Sequence, residues 1–341
     1  MSQKGVPNQP ALTNPVRFPL TLTCSHDSRR PLPSVAAGRL FVCLPPAGRL
    51  RPRGAETAPQ LSMTTCSSSL TPRIKTWEDA RLQSIRALGK RAERDRTQTF
   101  FAEGLRFVGQ AVAQNAQIEA VLVVLKTLEH PFELQLRRQM EQKCIPIWEV
   151  TPDLFLRLLR AEEPQWIGTI VRQPWDTPAH VTHSSRLCRV AFAQVHSPGN
   201  LGTILRTGDA AGASGLILIG DAVDPYDPAC VRATMGAIFA QRLIRMTASE
   251  FAAWKQSGEY RLVGTSPHAE SDYQAVVYPA RTVLFMGGER KGLSEDRQHL
   301  CDDLVRIPMV GRSDSLNPAV ATGVLLYEVF NQRRNNSGKS G

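Results

Sequence analysis

The chain has 341 residues, 42% of them hydrophobic, enough for two domains with cores of their own. Its formal net charge of +10 points to a polyanionic partner, nucleic acid ahead of an anionic membrane surface. No apolar run approaches the ~18–20 residues of a membrane-spanning helix. The seven cysteines (Cys24, Cys43, Cys66, Cys144, Cys188, Cys230 and Cys301) form no CxxC pair and read as scattered reduced thiols of a cytoplasmic protein.

Residues 1–62 are rich in Pro, Ser and Arg, with only Asp27 and Glu56 as acids. Such low core-forming content makes residues 1–71 a disordered tail, or a start placed upstream of Met63. The composition also suits a targeting segment, but the prolines and the lack of a clear amphipathic helix weigh against one. From Thr76, WEDARLQSIRALGKRAERD reads as an amphipathic helix with Leu82, Ile85 and Leu88 on one side. Its cationic run of Lys90, Arg91, Arg94 and Arg96 is either a solvated face or an RNA contact; Arg91, Arg94 and Arg96 are the RNA-binding candidates. FFAEGLRFVGQAVAQ reads as a second helix, and IEAVLVVL (118–125) as a buried strand. PFELQLRRQMEQ reads as a helix, IPIWEV (145–150) as a strand, TPDLFLRLLR as a helix capped by Thr151, and QWIGTIVRQ (165–173) as a strand. This alternation predicts a small α/β layer domain over residues 72–173. PWDTPAHVTHSS (174–185) reads as a linker.

Over residues 186–334 the alternation resumes with LCRVAFAQV, GLILIG, RLVGTS, TVLFMGG and LVRIPM. Near-continuous apolar strands imply a parallel sheet covered on both faces. The remaining residues, 335–341, read as a disordered tail.

Three stretches could carry chemistry. In HSPGNLGTILRTGDAAGASGLILIG (196–220) a strand ends at Val195, and Asn200 can cap a helix. Leu201, Ile204, Leu205, Gly208 and Gly212 form a packed stripe, with Gly202, Thr203, Arg206 and Thr207 opposite. An interior glycine costs a helix roughly 1 kcal/mol relative to Ala, a loss that close backbone approach would justify. The stretch lacks a G-x-G-x-x-G loop, so a dinucleotide site is disfavoured. In VLFMGGERKGLS (283–294) a buried strand runs into Gly287, Gly288 and Glu289, the usual place for a ligand in an open α/β sheet. The third stretch, SDSLNPAVATGVLLYEVFNQ (313–332), follows a strand ending at Ile307 and Pro308. Asn317 is a good N-cap and Pro318 suits the first helical position. Val320, Val324, Leu325 and Tyr327 recur at helical spacing as a buried face. The helix start favours anions through its free N–H groups and dipole. The seven histidines do not pair at ligand spacing, so no metal is expected, and no Ser-His-Asp order stands out.

Taken in order, these stretches resemble the three signature motifs of the SpoU (TrmH-type) family of RNA ribose 2′-O-methyltransferases, within the SPOUT superfamily. Asn200-Leu201-Gly202 with Arg206-Thr207 matches the first. Gly287-Gly288-Glu289 with Gly292-Leu293-Ser294 matches the second. Ile307-Pro308-Met309 with Ser315-Leu316-Asn317 and Glu328 matches the third. The N-terminal layer, with FFAEGLRFV, is similar to the ribosomal-protein-like RNA-binding domain that many members carry. The resemblance spans residues 76–332. Two positions depart from the pattern: Pro318 stands where a small apolar residue is usual, and Arg290 where a Gly is common.

The resemblance implies an α/β chain whose C-terminal parallel-sheet domain carries a deep trefoil knot. It implies S-adenosylmethionine as cofactor, held near Thr265, Gly287, Ile307 and Leu316, and a homodimer whose sites are completed across the interface. The implied activity is 2′-O-methylation of a ribose in RNA, with ribosomal RNA ahead of tRNA because of the accessory domain. Arg206 is the implied central catalytic residue, with Asn200, Glu289, Ser315 and Asn317 orienting it, the hydroxyl and the loops. Arg232 is an additional phosphate contact. The rival reading is a non-catalytic RNA-binding or ribosome-assembly factor on the same fold.

Overall fold

The computed structural model describes residues 73–124, 131–159, 164–178, 188–220, 223–258, 260–288 and 292–337. The expected N-terminal tail, 1–71, lies outside them, as do residues 338–341 of the expected C-terminal tail. Residues 64–341 belong to one compact unit.

The N-terminal layer runs β1 (Arg73–Ile74), α1 (Ala80–Ala87), α2 (Arg91–Thr97), β2 (Thr99–Glu103), α3 (Leu105–Ala113), β3 (Ile118–Val123), α4 (Pro131–Gln142), β4 (Ile147–Val150), α5 (Pro152–Leu159) and β5 (Ile167–Arg172). Its strand order is β1-β4-β3-β5-β2. The β1–β4 and β3–β4 pairs are parallel, and β5 runs antiparallel to both β3 and β2. Leu82, Ile85 and Phe155 of α1 and α5 pack in one buried cluster; Val108, Val112, Leu136 and Met140 of α3 and α4 pack in another.

Two elements differ from the sequence expectation. The first helix is broken at Leu88-Gly89-Lys90, with Asp79 accepting the Arg81 N–H at the start of α1. The break sets α2 on its own axis and turns Arg94 inward. FFAEG is not helical: Phe100 pairs with Val171 in β2, and Gly104, at φ +114°, separates the strand from α3. Two adjacent aromatics favour a pleated strand, and the positive φ requires glycine.

The C-terminal layer runs β6 (Trp175–Asp176), β7 (Arg189–Phe192), α6 (Pro198–Ala210), β8 (Leu216–Ile219), α7 (Pro228–Thr234), β9 (Leu243–Met246), α8 (Ala248–Gln256), β10 (Arg261–Thr265), β11 (Ser271–Asp272), β12 (Thr282–Met286), α9 (Glu295–Gln298), β13 (Asp303–Arg306) and α10 (Pro318–Ser337). The sheet order is β11-β13-β10-β12-β7-β8-β9-β6, and every pair is parallel. As the apolar strands predicted, side chains of both sheet faces are buried, in separate clusters. The expected linker begins instead as a strand, since Trp175 and Asp176 pair with Leu243 and Ile244. The expected tail is helical through Ser337.

The layers share a core. Phe100, Phe107 and Val171 belong to the same buried cluster as Leu201, Tyr226, Val231 and Leu243. The Phe100 and Tyr226 ring centroids are 4.8 Å apart. Gly202 faces α7 rather than the opposite side expected for it. A Cβ there would collide with the Cys230 carbonyl and stand 2.6 Å from the Ala233 Cβ. Close approach thus accounts for this interior glycine. Gly202→Ala gains about 1 kcal/mol of helix propensity but sets a methyl against a backbone carbonyl, an overpacking of ~1–3 kcal/mol. Denaturant unfolding should therefore show a net loss of stability; equal or greater stability would contradict the packing described.

Candidate active site

The parallel strands β10, β12 and β13 end on the same side, so the segments after Thr265, Met286 and Arg306 meet. They enclose a cleft of about 460 Å³. Thr265, Gly287, Ile307 and Leu316, expected to hold a cofactor, all line it, as does Ser315. Gly287 is required by its neighbours: a Cβ would collide with the Gly292 and Leu293 backbone. Gly288 and Gly292 exchange two backbone hydrogen bonds of 3.0 Å. Gly292 sits at φ +62°, where a side chain would be strained. Glu289 and Arg290 lie outside the described residues.

The upper lip is the start of α10. Asn317 Oδ1 accepts the Ala319 N–H at 2.8 Å and the Val320 N–H at 3.4 Å, the cap that the sequence predicts. Its Nδ2 donates to Asn200 Oδ1 at 3.1 Å, joining the start of α10 to the start of α6. Asn200 is not the cap of α6. Ser197 takes that place, its hydroxyl accepting the Asn200 N–H at 3.3 Å, with Pro198 first in the helix. This leaves the Asn200 amide available for Asn317.

The buried face of α10 also differs from expectation. Ala319, Thr322, Leu325, Leu326 and Val329 are buried, whereas Val320 is 55% and Tyr327 46% exposed. Thr322 can be buried because its hydroxyl donates to the Pro318 carbonyl at 2.6 Å. Gly323 faces Thr207, so α10 packs on α6.

Arg206 is exposed on α6, one turn beyond Gly202. Neither it nor Asn200 lines the cleft; Asn200 is tied to the cleft's edge by Asn317, which stands between the lining residues Leu316 and Pro318. Among the RNA candidates, Arg91, Arg96 and Arg232 are exposed; Arg91 lies 3.4 Å from Asp95, and Arg96 2.5 Å from Glu93. Arg94 is not an RNA contact. It is 2% exposed and pairs with Asp224 at 2.8 Å. Sequence reasoning missed Ser266, His268, Gln298 and Arg306, which also line the cleft. Ser266 and Arg306 adjoin predicted positions, but His268 and Gln298 carry no sequence pattern of their own. Burial pushes the Cys301 thiol, packed behind Gly264, up to about 12, so it is a neutral packing group rather than a nucleophile.

Residues 188–327 match the SpoU rRNA Methylase family, and residues 79–168 match the MRM3-like substrate binding domain. The 23S rRNA (uridine(2479)-2′-O)-methyltransferase of Streptomyces viridochromogenes is 33% identical over 266 residues, covering 76% of this chain and 92% of that protein. The chain belongs to the SpoU rRNA methylase family. A solved relative is the AdoMet-bound rRNA methyltransferase of Sinorhizobium meliloti, at TM-score 0.70 and 33% identity, covering 76% of this chain and 97% of that one. The AdoMet complex of the SpoU methyltransferase AviRb from S. viridochromogenes matches at TM-score 0.67 and 33% identity, covering 75% and 98%. The SpoU fold thus positions the cleft and the Asn200–Asn317 junction from segments far apart in sequence.

That junction is testable. Asn317→Ala removes a helix cap and a side-chain bond, so it should lower stability by about 1–2 kcal/mol in denaturant unfolding. Combined with Asn200→Ala in a double-mutant cycle, it should show a coupling of ~0.5–1 kcal/mol. Strict additivity would mean that the two side chains do not interact in solution.

Proposed function

We propose that this chain transfers a methyl group from S-adenosylmethionine to the 2′-hydroxyl of a ribose in ribosomal RNA. The observation that carries this reading is the convergence of the second and third motif segments on one cleft, with Asn317, between the lining residues Leu316 and Pro318, bonded to Asn200 of the first. Both relatives solved with AdoMet share 33% identity with this chain over three quarters of its length. A cleft of about 460 Å³ suits a nucleoside-sized cofactor. When bound, the cofactor supplies an electrophilic methyl group on a sulfonium sulfur.

The chain's own residues position the ribose and stabilise charge. In this reading Thr265, Gly287, Ile307 and Leu316 hold the cofactor, and Ser315 and Asn317 orient the hydroxyl. A guanidinium is a poor base. Arg206 therefore acts by holding a phosphate and by stabilising the oxygen as it loses its proton, with Asn200 and Glu289 supporting that geometry. Arg91, Arg96 and Arg232 extend the phosphate track.

A homodimer belongs to the same proposal. Arg206 lies outside the cleft's lining, and α10 exposes Val320 and Tyr327 beside Leu316, an apolar strip that a second copy would cover. So do the trefoil knot and a cytoplasmic location. Among the described residues no helix is long and apolar enough to cross a membrane, and no group of three His, Cys, Asp or Glu side chains could hold a metal ion.

Arg206→Ala should reduce ribose methylation of rRNA by at least about 100-fold while cofactor affinity stays within roughly twofold. Undiminished methylation would refute the role. Gly287→Ala has the converse signature. The added methyl must displace the Gly292 backbone, so calorimetry should show cofactor binding weakened by about tenfold or more, ~1.4 kcal/mol. Wild-type affinity in that variant would place the cofactor elsewhere.

A further inference from the structure

Arg94 belongs to the N-terminal layer, yet its charge is directed at the C-terminal one. Its Nε donates to Asp224 Oδ2 at 2.8 Å, and Nη2 lies 3.6 Å from Asp227 Oδ2. Its Nη1 donates to the Leu88 carbonyl at 2.8 Å, in the break between α1 and α2. Its own carbonyl accepts from Gln173 Nε2 at 3.0 Å. Arg94 and Asp224 are 2% and 4% exposed, so this is a dry junction.

Each carboxylate is divided between the two layers. Asp224 Oδ1 accepts the Tyr226 N–H at 2.9 Å, while Oδ2 takes Arg94. Asp227 Oδ1 caps α7 by accepting the Ala229 N–H at 2.9 Å, while Oδ2 faces Arg94. One guanidinium thus grips the turn that starts α7. From there α7 lies directly on α6 at Gly202, with Arg206 one turn further along α6 and Arg232 on α7 itself. Two apolar side chains would bury this junction equally well. A hydrogen-bonded charge pair adds a unique geometry, because any displacement leaves charge unpaired in a low dielectric.

We propose that Arg94 is a positioning residue for methyl transfer. It fixes the start of α7, and through the α7–α6 contact the helix bearing Asn200 and Arg206, in one register relative to the N-terminal layer that meets RNA. The proposal rests on the methyl-transfer reading for its kinetic test, but not for its hydrogen-exchange test.

The experiment compares the full chain with Arg94→Met and Arg94→Lys, well below their unfolding temperatures. Amide exchange in 198–210 and 228–234 should accelerate by roughly tenfold, while α4 and α8 keep wild-type protection. Single-turnover methylation of rRNA at saturating substrate should fall by about tenfold or more in Arg94→Met, with cofactor affinity unchanged and RNA affinity altered by less than roughly threefold. Arg94→Lys should be intermediate, since it keeps the charge but not the fork of donors. Exchange that accelerates evenly over the whole chain, or that is unchanged at α6 and α7, would overturn the proposal. So would a wild-type turnover rate in folded Arg94→Met. If Arg94→Met does not fold, Arg94→Lys and Asp224→Asn give the same readings. Absence of methylation by the wild-type chain would refute the functional reading instead, and the exchange pattern would still decide the coupling.

Discussion

Parallel pairing of β12 between β10 and β7 is the constraint on which the site depends. Strands that all run one way need crossovers of a dozen or more residues, so both faces of the sheet are covered and its strands are apolar. That leaves little chemistry inside the sheet. It also sends all the C-terminal strand ends to one edge, where segments remote in sequence meet. The cleft between Thr265, Gly287, Ile307 and Leu316 is this geometric outcome, and Gly287 admits the close approach of the Gly292 and Leu293 backbone beside it.

A sheet edge alone does not orient a substrate. Beside that edge the starts of α6 and α10 are joined, because Asn317 spends its oxygen on its own helix and its nitrogen on Asn200. The bond brings two helix N-termini side by side. Their dipoles add in sign and favour negative charge there, while Asn317 takes up the first N–H groups of α10. Ser197, by capping α6, releases Asn200 for this role. The anion preference read from the start of α10 alone therefore belongs to a pair of helices, one of which carries Arg206.

The strands β8 and β12 are legible as short continuous apolar runs, and β7, β10 and β13 as short runs with an apolar centre. The Asn317-Pro318 helix start was legible because capping is local. What escaped was decided at long range. Nothing near Arg94 announces that its partner lies 130 residues away, so a buried ion pair read as part of a basic face. Apolar spacing on α10 did not distinguish a face packed on its own sheet from a face left for another surface, so Val320 and Tyr327 were placed inside. Phe100 and Phe101 were assigned a helix because the helical pattern downstream outweighed two strand-forming residues. The lining of the cleft came from the family resemblance, since no periodicity in the residues themselves would unite Thr265 with Leu316.

Arg94 and Arg206 show how one side chain type serves two ends. Arg94 is sealed with Asp224 beside it and Asp227 at the margin, so its charge is satisfied within the fold and its position is fixed. Arg206 is set on a helix that the Gly202 contact holds in place, with its guanidinium toward solvent. An exposed guanidinium on a rigid helix is an electrostatic device rather than a proton acceptor. In the methyl transfer proposed above, the hydroxyl proton would leave to water or a carboxylate, and the guanidinium would stabilise the charge that departure exposes. Stabilisation of that kind depends on placement within fractions of an ångström. In that proposal the buried pair and the exposed arginine serve one requirement: a charge held still, and a fold that spends a second charge to hold it.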